Sequence, residues 1–287
     1  MTDSTAVSTI VIRDIEGVAE LRAVEALQKE VWGSDDLDVV PLTLLVASRA
    51  VGATLIGAYD GGRLVGFVYG FTGYEHGQVT HHSHMLAVKP AYRNHQLGFK
   101  LKLAQRERVL AQGITRITWT FDPLQSLNAH LNFGKLGVVS DSYKTNFYGQ
   151  ATSSFLHQAG TDRLWVTWLL DSQRVGKRIQ REKLRTEYLF AAADVPVLVR
   201  VSAGGVPEPA ENFGSPQLAI EIPWDINTLQ RGQPDLALEW RKATRLAFTR
   251  ALDSKYLVEE FDSVTRNDQQ VGVYLLTLRQ ASSGTFA

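Results

Sequence analysis

The 287-residue chain contains no cysteine, which excludes disulfides, thiolate metal sites and a cysteine nucleophile and fits a reducing compartment. It has no excess charge of either sign: 30 Lys and Arg balance 30 Asp and Glu, so there is no broad basic field for a nucleic acid. No run approaches the roughly eighteen apolar residues that span a bilayer. The opening MTDSTAVST lacks the charged-then-apolar pattern of a secretory leader. These absences predict a soluble cytoplasmic protein with neither nucleic acid nor membrane as partner. What remains is ample material for a packed core, since 44% of the residues are hydrophobic, and a length that suits one large domain or two small ones.

Hydrophobic periodicity orders that material. TIVIR reads as a strand. Val18, Leu21, Val24, Leu27 and Val31 then recur at helical spacing up to Gly33, and LTLLVASRAV after Pro41 reads as a second helix. TLIGAYD and RLVGFVYGFTG flank Asp60-Gly61-Gly62, the chemistry of a tight hairpin turn. A further strand over 79–88, a helix over 97–112, the strand ITRITWTFD, a short helix near 125–136 and the strand RLWVTWLL follow. Interleaved strands and helices predict an α/β (α+β) fold, with helices packed on a mixed sheet. DSQRVGKRIQREKLRTE reads as a solvated, linker-like helix, and beyond it VPVLVRVS, QLAIEIP, a helix over about 235–252, YLVEEFDSV and VGVYLLTLR form a second α+β set. The expected division is therefore 1–171 and 172–287.

The stretch HHSHMLAVKPAYRNHQLGFK (81–100) concentrates the chemistry. Pro90 stops a strand and a helix begins near Leu97, so unpaired helix N–H groups and the positive end of the helix dipole face the turn. Gly98 lets backbone approach an anion without a Cβ in the way, and Lys100 and Lys102 are candidates for charge at its rim. Val88-x-Pro90-x-x-Arg93-x-x-Gln96-x-Gly98 resembles the pyrophosphate loop of the GNAT superfamily, the Gcn5-related N-acyltransferases, although Gln96 stands where that loop usually carries glycine. The element order over about 9–170 is similar too. HSHMLAV, WTFDPLQSLNAHLNFGKLG, Tyr143-x-x-Asn146-Phe147-Tyr148-Gly149 and Thr161-Asp162-Arg163 resemble one bacterial GNAT-related family associated with N-succinylation of amino acids.

The resemblance implies a GNAT-like sheet and acetyl-CoA or succinyl-CoA as acyl donor. It places the cofactor on Leu86, Ala87 and Val88, on the loop residues Arg93, Asn94, His95, Gln96, Leu97, Gly98, Phe99 and Lys100, and on Asn128. The expected partners are that donor, a small amine and a second copy of the chain.

His82 and His84 share one strand face. A metal site with His76 or His130 lacks a third ligand at fixed spacing, and acyl transfer needs no metal. The chemistry favours His84 as the base that deprotonates the amine, with Glu75 able to act through water and His82 on the substrate side. The resemblance implies a tyrosine acid on the helix after the fifth strand, but the aligned position is Phe133, so Tyr143, Tyr148, Asn128, Asn132 and water are the substitutes. Asp162-Arg163 reads either as a turn with a surface ion pair or as a carboxylate fork at Arg163. A CoA-binding module without turnover and an acetyltransferase acting on proteins are the competing readings.

Overall fold

The computed structural model describes residues 10–33, 39–93, 95–149, 160–184, 195–211, 213–266 and 268–279. The fold is mixed α/β, with seven α-helices among the described residues. These residues fall into two compact units, 10–117 and 118–279, whereas the expected division lay at 171/172. Ser140, before the expected boundary, pairs with Val258 beyond it.

In the first unit, β1 (Val11–Asp14), β2 (Thr54–Asp60), β3 (Arg63–Glu75) and β4 (Gln78–Val88) form an antiparallel ladder. β2 and β3 meet at Gly61 and Gly62, both with positive φ, the two-residue geometry that the right-handed twist of a hairpin favours. Three helices cover the ladder: α1 (Gly17–Trp32), α2 (Leu42–Ala50) and α3 (Leu97–Ala111). Leu21, Val24 and Leu27 of α1 and Leu45 of α2 pack with Tyr59, Phe67, Tyr69 and Ala87 on one face. Leu97 and Leu101 of α3 pack with Ile56, Val65 and Val68 on the other, and Leu86 and Val88 join them.

The second unit contains β5 (Arg116–Phe121), which starts two residues before it, α4 (Ser126–Ala129) running into a π-helical turn over His130–Leu136, β6 (Val139–Lys144), β7 (Arg163–Leu169) and α5 (Gln173–Leu184). Then come β8 (Val197–Val201), β9 (Pro207–Pro209), β10 (Gln217–Pro223), α6 (Ile226–Gly232), α7 (Pro234–Asp253), β11 (Tyr256–Arg266) and β12 (Gln269–Leu278). Its strand order is β5-β7-β6-β11-β12-β10-β8-β9. Val258 of β11 pairs with Ser140 of β6, and β8 runs parallel to β10. Phe133, Phe248, Phe261 and Tyr274 fill the centre with edge-on ring contacts of 4.6 to 5.7 Å.

The charged segment after Leu170 is not a solvated linker. Val175, Arg178 and Ile179 of α5 are buried. Arg174 and Arg178 both pair with Glu260 of β11, while Arg178 and Arg181 donate to the carbonyl of Gly134 in the π-helical turn. Arginine stems bury along apolar surface while their heads find acceptors. Composition alone therefore made a docked helix look solvent-facing.

Candidate functional site

The strand leading into the quoted loop carries a bulge. Gly70 of β3 pairs with Ser83 and its neighbour Tyr69 pairs with Met85, which leaves His84 as an extra residue on β4. A bulge of this kind re-aims side chains and breaks the period-2 alternation. His82, His84 and Met85 consequently lie towards Tyr69 and Phe71, on the α1/α2 face, while Leu86 and Val88 turn to the α3 face. The His84 ring is 5.9 Å from Tyr69, 5.8 Å from Phe71 and 6.4 Å from His82. His84 keeps access to solvent, but this crowding desolvates one flank of the ring and lowers its pKa from the usual 6.5. His82, more deeply placed, is pushed down to about 4 by burial and by the neighbouring His84 and Lys102 charges.

Beneath the bulge lies a network that the sequence did not announce. Lys102 Nζ donates to Ser83 Oγ at 2.7 Å, and Ser83 donates to Gln105 Oε1 at 2.8 Å. Gln105 Nε2 donates to Thr54 Oγ1 at 3.1 Å, and Thr54 meets His81 Nε2 at 3.0 Å. All five residues are buried. Lys102 therefore does not add charge at a phosphate rim, as expected from its spacing, because its helix face turns into the sheet. Burial holds it down to about 7 and His81 down to about 4. The available signal was the i, i+3 placement of Lys102 and Gln105 on one helix face, opposite the one polar residue between two histidines.

Past Val88 the strand closes with Lys89 N–H on Val65 O at 2.9 Å, and Lys89 Nζ pairs with Glu30 at 2.7 Å. Pro90–Tyr92 form one 3₁₀ turn, tied to the sheet by Tyr92, whose hydroxyl bonds Asp60 and accepts from Arg63. Arg93 is exposed and donates to Val88 O at 3.4 Å. Asn94 lies outside the described residues. His95 and Lys100 are exposed, and Leu97 and Phe99 anchor α3 in the core. The first-turn amides of Leu97, Gly98 and Phe99 precede the bond from Lys100 N–H to Gln96 O at 3.0 Å, so they form the donor set that a helix start offers an anion.

Gln96 itself adopts φ 57° and ψ 20°. A residue other than glycine thus holds the left-handed conformation here, at a cost of about 1 kcal/mol or more. Gln96→Gly is expected to raise stability by about 0.5–1 kcal/mol. Thermal unfolding checks this, and a lowered melting temperature would mean that the Gln96 side chain contributes more than its backbone costs.

The remaining candidates are dispersed. Glu75 pairs with Gln78 at the tip of the β3–β4 hairpin, six residues along β4 from His84, or roughly 20 Å at strand rise, so the structure does not bring the two together. In the second unit Asn128 is exposed on α4, while Asn132 is buried. Phe133 is fully buried against Tyr274 and Phe121. Tyr143 donates to Asp162 Oδ2 at 2.6 Å and stacks on Phe248. Burial and the Asp162 charge raise it well above 10, which makes it a weak acid.

Asp162 is no surface ion-pair partner. It is fully buried and accepts from Arg245 at 2.7 and 2.9 Å, from Tyr143 and from the Asn146 amide. Thr161 binds both the Tyr148 amide and Gly149 O. Arg163 is 8% exposed with its guanidinium 5.2 Å from the Tyr148 ring centroid, so a carboxylate fork there requires that stack to open. The Thr-Asp-Arg motif thus organises the turn after β6 more than it displays charge.

No helix among the described residues is long and apolar enough to cross a membrane. Residues 19–137 match the model of the acetyltransferase (GNAT) family. Comparison with curated proteins finds no match. Among solved structures, the ribosomal-protein-S18-alanine N-acetyltransferase of Escherichia coli is similar over 57% of this chain and 96% of its own, at 13% identity and a TM-score of 0.46. A putative acetyltransferase of Salmonella typhimurium, solved with its cofactor acetyl-CoA, covers 58% and 96% at 18% identity and a TM-score of 0.44. An aminoglycoside 6'-N-acetyltransferase complexed with coenzyme A covers 57% and 98% at 16% identity and a TM-score of 0.42.

Proposed function

We propose that the chain is an N-acyltransferase that moves an acyl group from acyl-CoA to the amine of a small molecule, a reading supported by the match of residues 19–137 to the acetyltransferase (GNAT) family model. The observation that carries the reading is a single continuous arrangement: a bulge that presents His84, a strand that ends at Pro90, and a left-handed Gln96 that opens α3. In this proposal the amides of Leu97, Gly98 and Phe99 hold the pyrophosphate, with Arg93, His95 and Lys100 around it. The strand residues Leu86, Ala87 and Val88 run beside the pantetheine arm.

His84 takes the proton that the amine must lose. The amine nitrogen attacks the thioester carbonyl, the C–S bond breaks, and the imidazolium returns the proton to the departing thiolate. Crowding suits His84 to this role, because a ring held below 6.5 is neutral and able to accept a proton at neutral pH. Tyr143, held well above 10, is poorly matched to protonating a thiolate. Amino-acid acceptors are the narrower form of the proposal.

A thiol-release assay tests the reading. The full chain is offered acetyl-CoA or succinyl-CoA with small amines, amino acids and peptides bearing free N-termini. Release that depends on a small amine supports it. Release only with peptides points to protein acylation, and saturable CoA binding without release points to a module that does not turn over.

A further inference from the structure

We propose that Lys102 is a positioning residue for His84, acting through Ser83 to fix where the β4 bulge falls; the inference rests on the acyl-transfer reading above for its kinetic consequence. The geometry argues it from parity. In an unbroken strand, residues 83 and 85 point to the same face. Here Met85 packs into the apolar cluster of the α1/α2 face, while Ser83 Oγ is drawn to the α3 face by Lys102 Nζ at 2.7 Å and Gln105 Oε1 at 2.8 Å. Two neighbours anchored on opposite faces can be joined only by an inserted residue, and that residue is His84.

The β3 side supports the same placement. A Cβ on Gly70, the partner of Ser83, would lie 2.5 Å from His81 Nε2, 2.7 Å from His82 O and 2.8 Å from Gln105 Nε2. The strand backbone is therefore drawn in against the network at this register. Moving the bulge by one residue would carry Ser83 away from Lys102 and the His84 ring away from Tyr69 and Phe71.

The charge state of Lys102 is compatible with this task. Burial holds it near 7. The groups that face it are His81, His82 and Ser83 of β4 and Gln105 on its own helix. With its pKa lowered to about 7, Lys102 can donate to Ser83 as a neutral amine, which avoids the desolvation cost of a buried ammonium.

The test uses the full chain and variants Lys102→Met, Ser83→Ala and Lys102→Gln, with two readouts. Side-chain NMR follows contacts of the His84 ring with Tyr69 and Phe71. Steady-state kinetics with acetyl-CoA and the amine that supports turnover separate kcat from KM. Displacing a reacting group by about 1 Å costs roughly a hundredfold, so Lys102→Met and Ser83→Ala are expected to lose about that factor in kcat and the His84 ring contacts. The KM for acetyl-CoA should change by less than about threefold. Lys102→Gln, which keeps a neutral donor, should recover part of the loss.

In a His84→Ala background, Lys102→Met should cost nothing further, because its effect passes through His84. Unchanged His84 contacts in Lys102→Met overturn the inference, as does an additive loss in the double variant. If the wild type releases no thiol with any amine while its His84 contacts still depend on Lys102, the acyl-transfer reading falls and the positioning of His84 stands.

Discussion

Gly70→Ala is expected to destabilise the first unit by about 4 kcal/mol and to lower its melting temperature by roughly 15 °C or more. The added Cβ would lie 2.5 to 2.8 Å from three atoms, and none can yield cheaply. His82 O is backbone, held in a strand. Gln105 is bonded to Thr54 and Ser83, and His81 is bonded to Thr54, so moving either side chain exposes buried donors and acceptors to loss of their partners. Overpacking costs roughly 1–3 kcal/mol, and each buried polar group left unpaired adds about 1–3 kcal/mol more. Gly73, three residues along the same strand, is the internal control: its Cβ would meet only Thr80 Cγ2 at 3.7 Å, so Gly73→Ala should be near neutral. Thermal unfolding of both variants decides the matter. A Gly70→Ala protein that melts within about 2 °C of wild type would show that β3 and β4 are not drawn together at this register.

His84→Ala is expected to lower kcat by about a hundredfold to ten-thousandfold, the range for loss of a general base, with acyl-CoA affinity changed less than about threefold. The sign of the pH dependence follows from the ring. His84 accepts a proton only when neutral, and crowding lowers its pKa from 6.5, so the wild-type rate should be level near neutrality and fall on the acid side, below 6.5. In His84→Ala that acid limb should disappear, and raising the pH should restore part of the rate by deprotonating the amine in solution. A variant that turns over within about threefold of wild type would make His84 a structural residue of the bulge.

Local chemistry was legible in the sequence wherever a few adjacent residues decide the outcome. Asp60-Gly61-Gly62 named its hairpin, Pro90 named the end of β4, and the helix expected over 97–112 is Leu97–Ala111. Where the loop departs from the family pattern, Gln96 holds a left-handed backbone, a conformation that glycine takes without strain. What sequence spacing could not supply was anything set by a distant partner. Alternation put His82 and His84 on one face and would carry 86 and 88 with them, but the bulge turns Leu86 and Val88 to the other face, because Lys102 and Gln105 hold Ser83 from another element. Asp162 looked like half of a surface pair with its neighbour, yet its partner is Arg245, 83 residues away. The charged α5 looked solvated, yet its arginines meet Glu260, more than eighty residues on. Each miss concerns a charge or polar group whose acceptor lies far along the chain, where hydrophobic period carries no information.

The most direct measurement is a calorimetric titration of acetyl-CoA into the wild type and into Gly98→Val, with melting curves recorded for both. Gly98 sits in the first turn of α3 among the amides assigned to the pyrophosphate, and a branched side chain there occupies the space a phosphate must enter. The expected result is saturable binding to the wild type, and binding weakened at least about tenfold, or lost, in a Gly98→Val protein that melts like the wild type. Equal affinities in the two proteins, or no binding to the wild type, would contradict the assignment of the β4–α3 loop as the acyl-CoA cradle.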